Sequence, residues 1–186
     1  VQVKLSPEGE VLIKSPAQFS GYYKQDELTA ESFTADGFFR TGDRGELRAD
    51  GILKITGRTK ELFKTAKGKY VAPAPIENLL NANPMIEMSM VSGVGQVSAY
   101  AIVVLAEDLR PKVRNAAVRA QVERELGGLL ERINASVSEY EQLKMIVVTP
   151  EPWSVEAGTL TPTLKIRRAR IETAVAPQVQ GWYATP

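Results

Sequence analysis

The sequence predicts an α+β protein in two parts: a small β subdomain, then a small α/β domain whose short sheet is flanked by helices. Three observations predict it. Residues 1 to 56 read as short strands broken by turn signals. From about residue 61 the pattern alternates helical and strand periods. The run Ala101 to Ala106 is apolar throughout, as expected of a strand covered on both faces.

In the first part, Gly9-Glu10 leads into Val11 to Lys14, and Ser15-Pro16 breaks that run. Gly21-Tyr22-Tyr23 precedes a short helix capped by Thr29, with Ser32 and Phe33 following. Glu46 to Arg48 and Ile52 to Thr56 flank Ala49-Asp50-Gly51. An Asp-Gly pair between apolar runs marks a hairpin, because both central positions tolerate positive φ. In the second part, Pro75 to Asn81 reads as a helix stopped by Asn83-Pro84. Ile86, Met88 and Met90 alternate with Glu87 and Ser89, the period of a half-buried strand, and Gly93 to Gln96 supplies the turn to the apolar strand. Pro111 opens the longest helix, with Val122, Leu126, Leu129, Leu130 and Ile133 on one face. Gly127-Gly128 interrupts it; at about 1 kcal/mol per glycine relative to alanine, the pair implies a kink, a close packing contact or two shorter helices. A third buried strand is expected over Lys144 to Thr149, before Pro150 and Pro152. A closing helix spans Ile166 to Ala174, and the tail after Pro177 is expected to be loosely held.

Composition narrows the chemistry. Of 186 residues 44% are hydrophobic, enough for a packed core. Lys plus Arg number 23 and Asp plus Glu 22, so no global field recruits nucleic acid or anionic membrane, and anion binding has to be local. Without cysteine there is no disulfide framework, thiol nucleophile or thiolate metal site; without histidine the commonest general base and metal ligand is missing. No apolar run is long enough for a transmembrane segment and the start has no signal-peptide pattern, so a cytoplasmic location is the default.

Three segments carry chemical potential: Asp36 to Asp43 (DGFFRTGD), Gly57 to Lys64 (GRTKELFK) and Thr161 to Lys165 (TPTLK). Taken singly, each has an ordinary reading. Thr41-Gly42-Asp43 is a polar turn, and Arg58 is a surface arginine at a strand end. Thr65 to Tyr70 (TAKGKY) is a solvated basic turn. Lys165 is an exposed charge on a loop where Pro162 holds Thr161 extended.

Together and in this order, the segments resemble the AMP-forming acyl-CoA synthetases, which activate a carboxylic acid as its acyl-adenylate and then pass the acyl group to a thiol. The motif matches cover roughly residues 9 to 77 and 159 to 172. The resemblance implies a carboxy-terminal portion cut inside the larger amino-terminal adenylating domain, since nothing resembles the family's upstream Ser/Thr/Gly-rich phosphate loop. It implies that residues 1–57 end the adenylating domain, 58–60 form a hinge, 61–176 form the AMP-binding lid domain and 177–186 a tail.

It also assigns roles by matching positions. Asp43 holds the ribose hydroxyls of ATP, Arg58 contacts ribose and phosphate, and Lys60 is the hinge between adenylate-forming and thioester-forming orientations. Lys64 and Gly68 belong to the loop that enters the site in the thioester-forming state, with Lys67 and Lys69 in reach of coenzyme A phosphates. Lys165 is the catalytic lysine, bridging substrate carboxylate and α-phosphate. Many family members have glycine before this lysine, whereas this chain has Leu164. That departure, with the longer Lys64 to Tyr70 loop, points to the long-chain fatty acyl-CoA ligase branch.

The substrates implied are ATP, a fatty acid and coenzyme A. Magnesium is expected with ATP, held by the absent part, so no metal site is predicted here. The complete enzyme is expected in the cytoplasm, free or peripheral to a membrane, and the portion alone is expected to be inactive. Two alternatives stay open: an adenylating domain that loads a carrier protein, and a noncatalytic protein-binding domain of the same fold. Nucleic-acid binding through Lys64, Lys67 and Lys69 is disfavoured, since no aromatic platform accompanies them.

Overall fold

The computed structural model describes residues 1–184, and the chain divides into two compact units, Val1–Leu62 and Phe63–Pro186. The first is built on a four-stranded antiparallel sheet of β1 (Gln2–Leu5), β2 (Glu10–Lys14), β3 (Phe39–Leu47) and β4 (Leu53–Arg58), in that spatial order. The Asp50-Gly51 hairpin forms between β3 and β4, where Leu47 pairs with Leu53 and Gly51 takes φ 80°. Helix α1 (Asp26–Ser32) differs from expectation at its start. Thr29 lies inside it rather than capping it, because its hydroxyl donates to the Gln25 carbonyl (2.8 Å) and accepts from the Tyr22 amide (2.9 Å).

The second unit opens with a ribbon of β5 (Phe63–Lys64) and β6 (Tyr70–Val71), followed by α2 (Pro73–Asn81). A three-stranded sheet follows, β7 (Ile86–Ser92), β8 (Ala99–Leu105) and β9 (Leu143–Val148), with β8 central, β7 antiparallel to it and β9 parallel. The crossover to β9 carries α3 (Ala116–Ser136), and α4 (Arg168–Ala184) closes the chain. All seven residues of β8 are buried, as its apolar run requires. Its side chains alternate between two cores: Ala99, Ala101, Val103 and Leu105 join Ile76 and Leu80 of α2 and Val122, Leu126 and Ile133 of α3. Tyr100, Ile102 and Val104 join Trp153, Leu160 and, from α4, Ile171 and Val179.

Several expectations change. Strand β7 is not half-buried: Ser89, Val91 and Ser92 are buried with Met90, because both faces are covered. Strand β9 is less buried than expected, Leu143 alone being fully covered, because it forms an edge of the sheet. Helix α3 begins at Ala116 rather than Pro111; the Asn115 side chain accepts from the Ala117 and Val118 amides and caps it. Gly127-Gly128 leaves it a single 21-residue helix, and a Cβ at Gly127 would meet nothing within 4 Å. No close packing contact explains that glycine.

Helix α4 does not stop at Ala174, and no loose tail follows Pro177 as far as Ala184; Thr185 and Pro186 lie outside the described residues. An internal proline removes a hydrogen bond to the preceding turn at a cost of about 3 kcal/mol. Packing offsets it: Val179 is buried, the Trp182 ring lies 5.6 Å from that of Tyr100, and the Tyr183 hydroxyl donates to the Ser98 carbonyl.

Because Gly127 is exposed, helical and uncrowded, Gly127→Ala is expected to raise stability by about 0.5–1 kcal/mol. A shift of the urea midpoint to higher concentration checks this; a lower midpoint would show that α3 needs that glycine.

Candidate functional site

In the first unit the middle of β3 and the end of β4 bring Asp43 and Arg58 into register as direct partners. Arg58 Nε donates to Asp43 Oδ1 at 2.9 Å. Thr41-Gly42-Asp43 is not a turn between strands but an irregular stretch inside β3, where the register with β2 shifts and Gly42 takes φ 70°, a left-handed conformation that other residues enter only with strain. This stretch is clasped to β2: the Thr41 hydroxyl accepts from the Asp43 amide (3.0 Å) and donates to the Val11 carbonyl (2.7 Å), and the Gly42 amide donates to Glu10 Oε1 (3.1 Å). The Asp43 and Arg58 side chains remain 34% and 59% exposed. An ion pair this open contributes about 0–1 kcal/mol, so its chemistry matters more than its stability. Lys60 is exposed in a 3-10 turn, Thr59–Glu61, at the end of this unit.

In the second unit, Lys64 and Tyr70 pair across the β5–β6 ribbon. The loop between them closes through the Thr65 amide to the Lys69 carbonyl (2.9 Å) and the Gly68 amide to the Thr65 carbonyl (2.9 Å). Gly68 sits at φ 77°, and a Cβ there would come no nearer than 3.8 Å to Lys64, so conformation rather than crowding requires glycine. The Gly93–Gln96 turn buttresses this loop, the Ala66 amide donating to the Gln96 carbonyl (2.8 Å) and the Gly95 amide to the Lys64 carbonyl (3.1 Å). Lys67 and Lys69 are exposed.

Lys165 closes a tight hairpin. An isolated antiparallel bridge joins Leu160 to Ile166, the Thr161 amide donates to the Lys165 carbonyl (2.8 Å), and the Lys165 amide donates to the Thr161 hydroxyl (3.0 Å). Leu164 completes the turn at φ 60° with its side chain largely in solvent. A three-residue hairpin loop ends in the left-handed region. A residue with a Cβ pays about 1–2 kcal/mol there. Glycine before the lysine would meet that demand without strain; Leu164 meets it with strain, and the hairpin still presents Lys165 exposed.

Sequence reasoning missed a second set of residues beside the hairpin. Arg168, the first residue of α4, grips the buried carboxylate of Glu77 in α2 with two donors, Nη1 to Oε1 (2.7 Å) and Nη2 to Oε2 (3.2 Å). Both groups also hold Val91 of β7: its amide donates to Glu77 Oε1 (2.8 Å) and its carbonyl accepts from Arg168 Nη1 (3.0 Å). One turn along α4, Glu172 Oε1 accepts from the Ser92 hydroxyl (2.6 Å). Burial pushes the neighbouring Tyr100 phenol up, the Ser92 hydroxyl partly offsetting this and the Glu172 carboxylate adding to it. Glu77 stands in the VAPAPIE segment and Arg168 in a run of basic residues, but nothing in either local pattern pairs positions 91 residues apart.

Among the described residues no group of three or more His, Cys, Asp or Glu side chains lies together. No described helix is long and apolar enough to cross a membrane.

Gly68→Ala is expected to cost about 1–2 kcal/mol, since the left-handed turn disfavours any Cβ. Urea unfolding monitored for the second unit checks this, and an unchanged midpoint would show that the loop relaxes freely.

The profile of the AMP-binding enzyme C-terminal domain matches residues 60–186. The long-chain-fatty-acid–CoA ligase FadD15 of Mycobacterium tuberculosis is 31% identical over 193 residues, covering 97% of this chain and 32% of that protein. The long-chain-fatty-acid–CoA ligase 5 of Rattus norvegicus is 36% identical over 190 residues, covering 95% of this chain and 28% of the relative. Among solved structures, the adenylation domain of a carboxylate reductase from Mycobacterium chelonae matches with a TM-score of 0.80 at 27% identity, over 99% of this chain and 31% of that one. The A-PCP didomain of a carboxylic acid reductase from Segniliparus rugosus, solved in complex with AMP, matches with a TM-score of 0.78 at 26% identity, over 98% and 27%. The chain thus spans about a third or less of the length of each of these proteins. With the profile covering more than half of its residues, the chain belongs to the AMP-binding enzyme family and carries that family's C-terminal domain.

Proposed function

We propose that this chain is the C-terminal portion of an ATP-dependent, AMP-forming ligase that activates a long-chain fatty acid and transfers it to coenzyme A. The observation that carries the reading is 31% and 36% identity, along 97% and 95% of the chain, to proteins named long-chain-fatty-acid–CoA ligases. In the first step a carboxylate oxygen attacks the α-phosphorus of ATP and the bond to pyrophosphate breaks. In the second the coenzyme A sulfur attacks the acyl carbon, the thiol proton is lost to solvent, and AMP leaves.

The geometry supports distinct roles. A carboxylate has about four acceptor sites, so Asp43 can bind Arg58 and still accept from a ribose diol. Arg58 uses Nε on Asp43, and a guanidinium has further donors for phosphate. Lys165, exposed on its hairpin, offsets negative charge as the carboxylate meets the α-phosphate. Lys60, in a short turn at an element end, absorbs the dihedral change between the two orientations. Lys64, Gly68, Lys67 and Lys69 then meet the pantetheine arm and phosphates of coenzyme A. The preceding domain supplies the acyl pocket, most of the adenine pocket and the groups that hold magnesium, and the complete enzyme works in the cytoplasm.

A second reading, an adenylating domain that loads a carrier protein, is favoured by the likeness to the A-PCP didomain. Thioester formation on free coenzyme A separates the two.

In the complete parent enzyme, Lys165→Ala is expected to lower fatty-acid-dependent pyrophosphate exchange by about 10²-fold or more, while thioester transfer from supplied acyl-adenylate continues. Unchanged exchange would make Lys165 an ordinary surface lysine. The chain by itself is expected to release no pyrophosphate, and robust release would overturn its reading as a portion of a larger enzyme.

A further inference from the structure

We infer that the Arg168–Glu77 ion pair is the positioning device for Lys165, setting where the hairpin tip stands; this rests on the role proposed for Lys165 above. The hairpin is well ordered within itself by the Leu160–Ile166 bridge, and the Arg167 amide adds a bond to the Thr159 carbonyl at 2.8 Å. Those bonds fix its shape, and buried Leu160, with Ile166 packed against the same core, seats its apolar base on the domain. Arg168, next after Arg167, adds the directional polar tether, for it is held by both oxygens of Glu77 and by the Val91 carbonyl. Glu77 is itself held by the Val91 amide, so the anchor reaches the edge strand of the sheet. Glu172 repeats the attachment one turn later, at Ser92.

Two physical arguments separate positioning from plain stabilisation. A cation in the first turn faces the positive end of the helix dipole, so Arg168 sits where helix electrostatics disfavour it, and the first turn of α4 has no acidic residue to offset this. A buried ion pair is often no more stabilising than well-packed apolar residues, whereas a bidentate arginine fixes geometry closely. The transfer-state loop is held separately. Its ties run through the β5–β6 pairing and the backbone bonds of the Gly93–Gln96 turn. Loss of the pair therefore acts on Lys165 and spares Lys64 and Gly68.

The test uses the complete enzyme with Arg168→Met, Arg168→Lys and Glu77→Gln, the last keeping the shape and one acceptor oxygen if the first does not fold. Pyrophosphate exchange is read as kcat and as KM for ATP, beside thioester formation from supplied acyl-adenylate and the thermal melt. Arg168→Met is expected to lower exchange kcat at least tenfold, since small misplacements cost heavily. Thioester formation should stay within about twofold, with Arg168→Lys recovering part of the loss and Glu77→Gln following the same split. Equal loss in both half-reactions, loss that tracks the folded fraction, or no loss overturns the proposal. Lys165→Ala is run in parallel. If it leaves exchange intact, the underlying reading falls; if it abolishes exchange while folded Arg168 variants keep it, only the positioning role falls.

Discussion

Strand β8 is the constraint on which the second unit depends. Its seven residues have no polar face, so water has to be excluded from both sides at once. One side is covered by α2 and α3 and the other by α4 and the segment around Trp153. Covering both sides places α2 and α4 at opposite faces of one three-stranded sheet. The loop around Gly68 enters α2 and the Lys165 hairpin enters α4, so the burial demand of β8 sets where both helices lie.

The sheet has an edge at β7, and an open edge leaves backbone groups in want of partners. Here Glu77 and Arg168 take the Val91 amide and carbonyl together. A side-chain pair does the work of a further strand, and it joins α2 to α4 around the edge. The same β7 residues lead into the Gly93–Gln96 turn, whose bonds to Lys64 and Ala66 hold the basic loop. The edge strand thus runs beside both candidate loops, while each keeps its own ties: backbone bonds of the turn for the basic loop, and the Glu77 and Arg168 side chains for the hairpin.

The candidate residues share a second property, a backbone held in an uncommon conformation next to an exposed charge. Gly42 precedes Asp43, Gly68 lies between Lys67 and Lys69, and Leu164 precedes Lys165, each at positive φ. Two of these are glycine and carry little strain. Leu164 is not, and its left-handed φ is maintained by the hydrogen bonds of the hairpin around it. In the first unit the equivalent support comes from Thr41 and Glu10, which tie the irregular stretch of β3 before Asp43 to β2.

The sequence by itself determined the fold class, the Asp50-Gly51 hairpin and the doubly buried β8, because turn chemistry and alternation act within a few residues. It misplaced features that depend on distant partners. Thr29 read as a cap until its neighbours showed it bonded within α1, and β7 read as half-buried because Ser89 and Ser92 look solvent-facing until Glu77 and Glu172 supply their partners. The closing helix read as ending at Ala174 with a loose tail after Pro177, yet packing of Val179, Trp182 and Tyr183 carries it through that proline. Tertiary structure alone decided the Glu77–Arg168 pair: two charges 91 residues apart meet only after the sheet is covered on both faces, and no local spacing encodes that meeting.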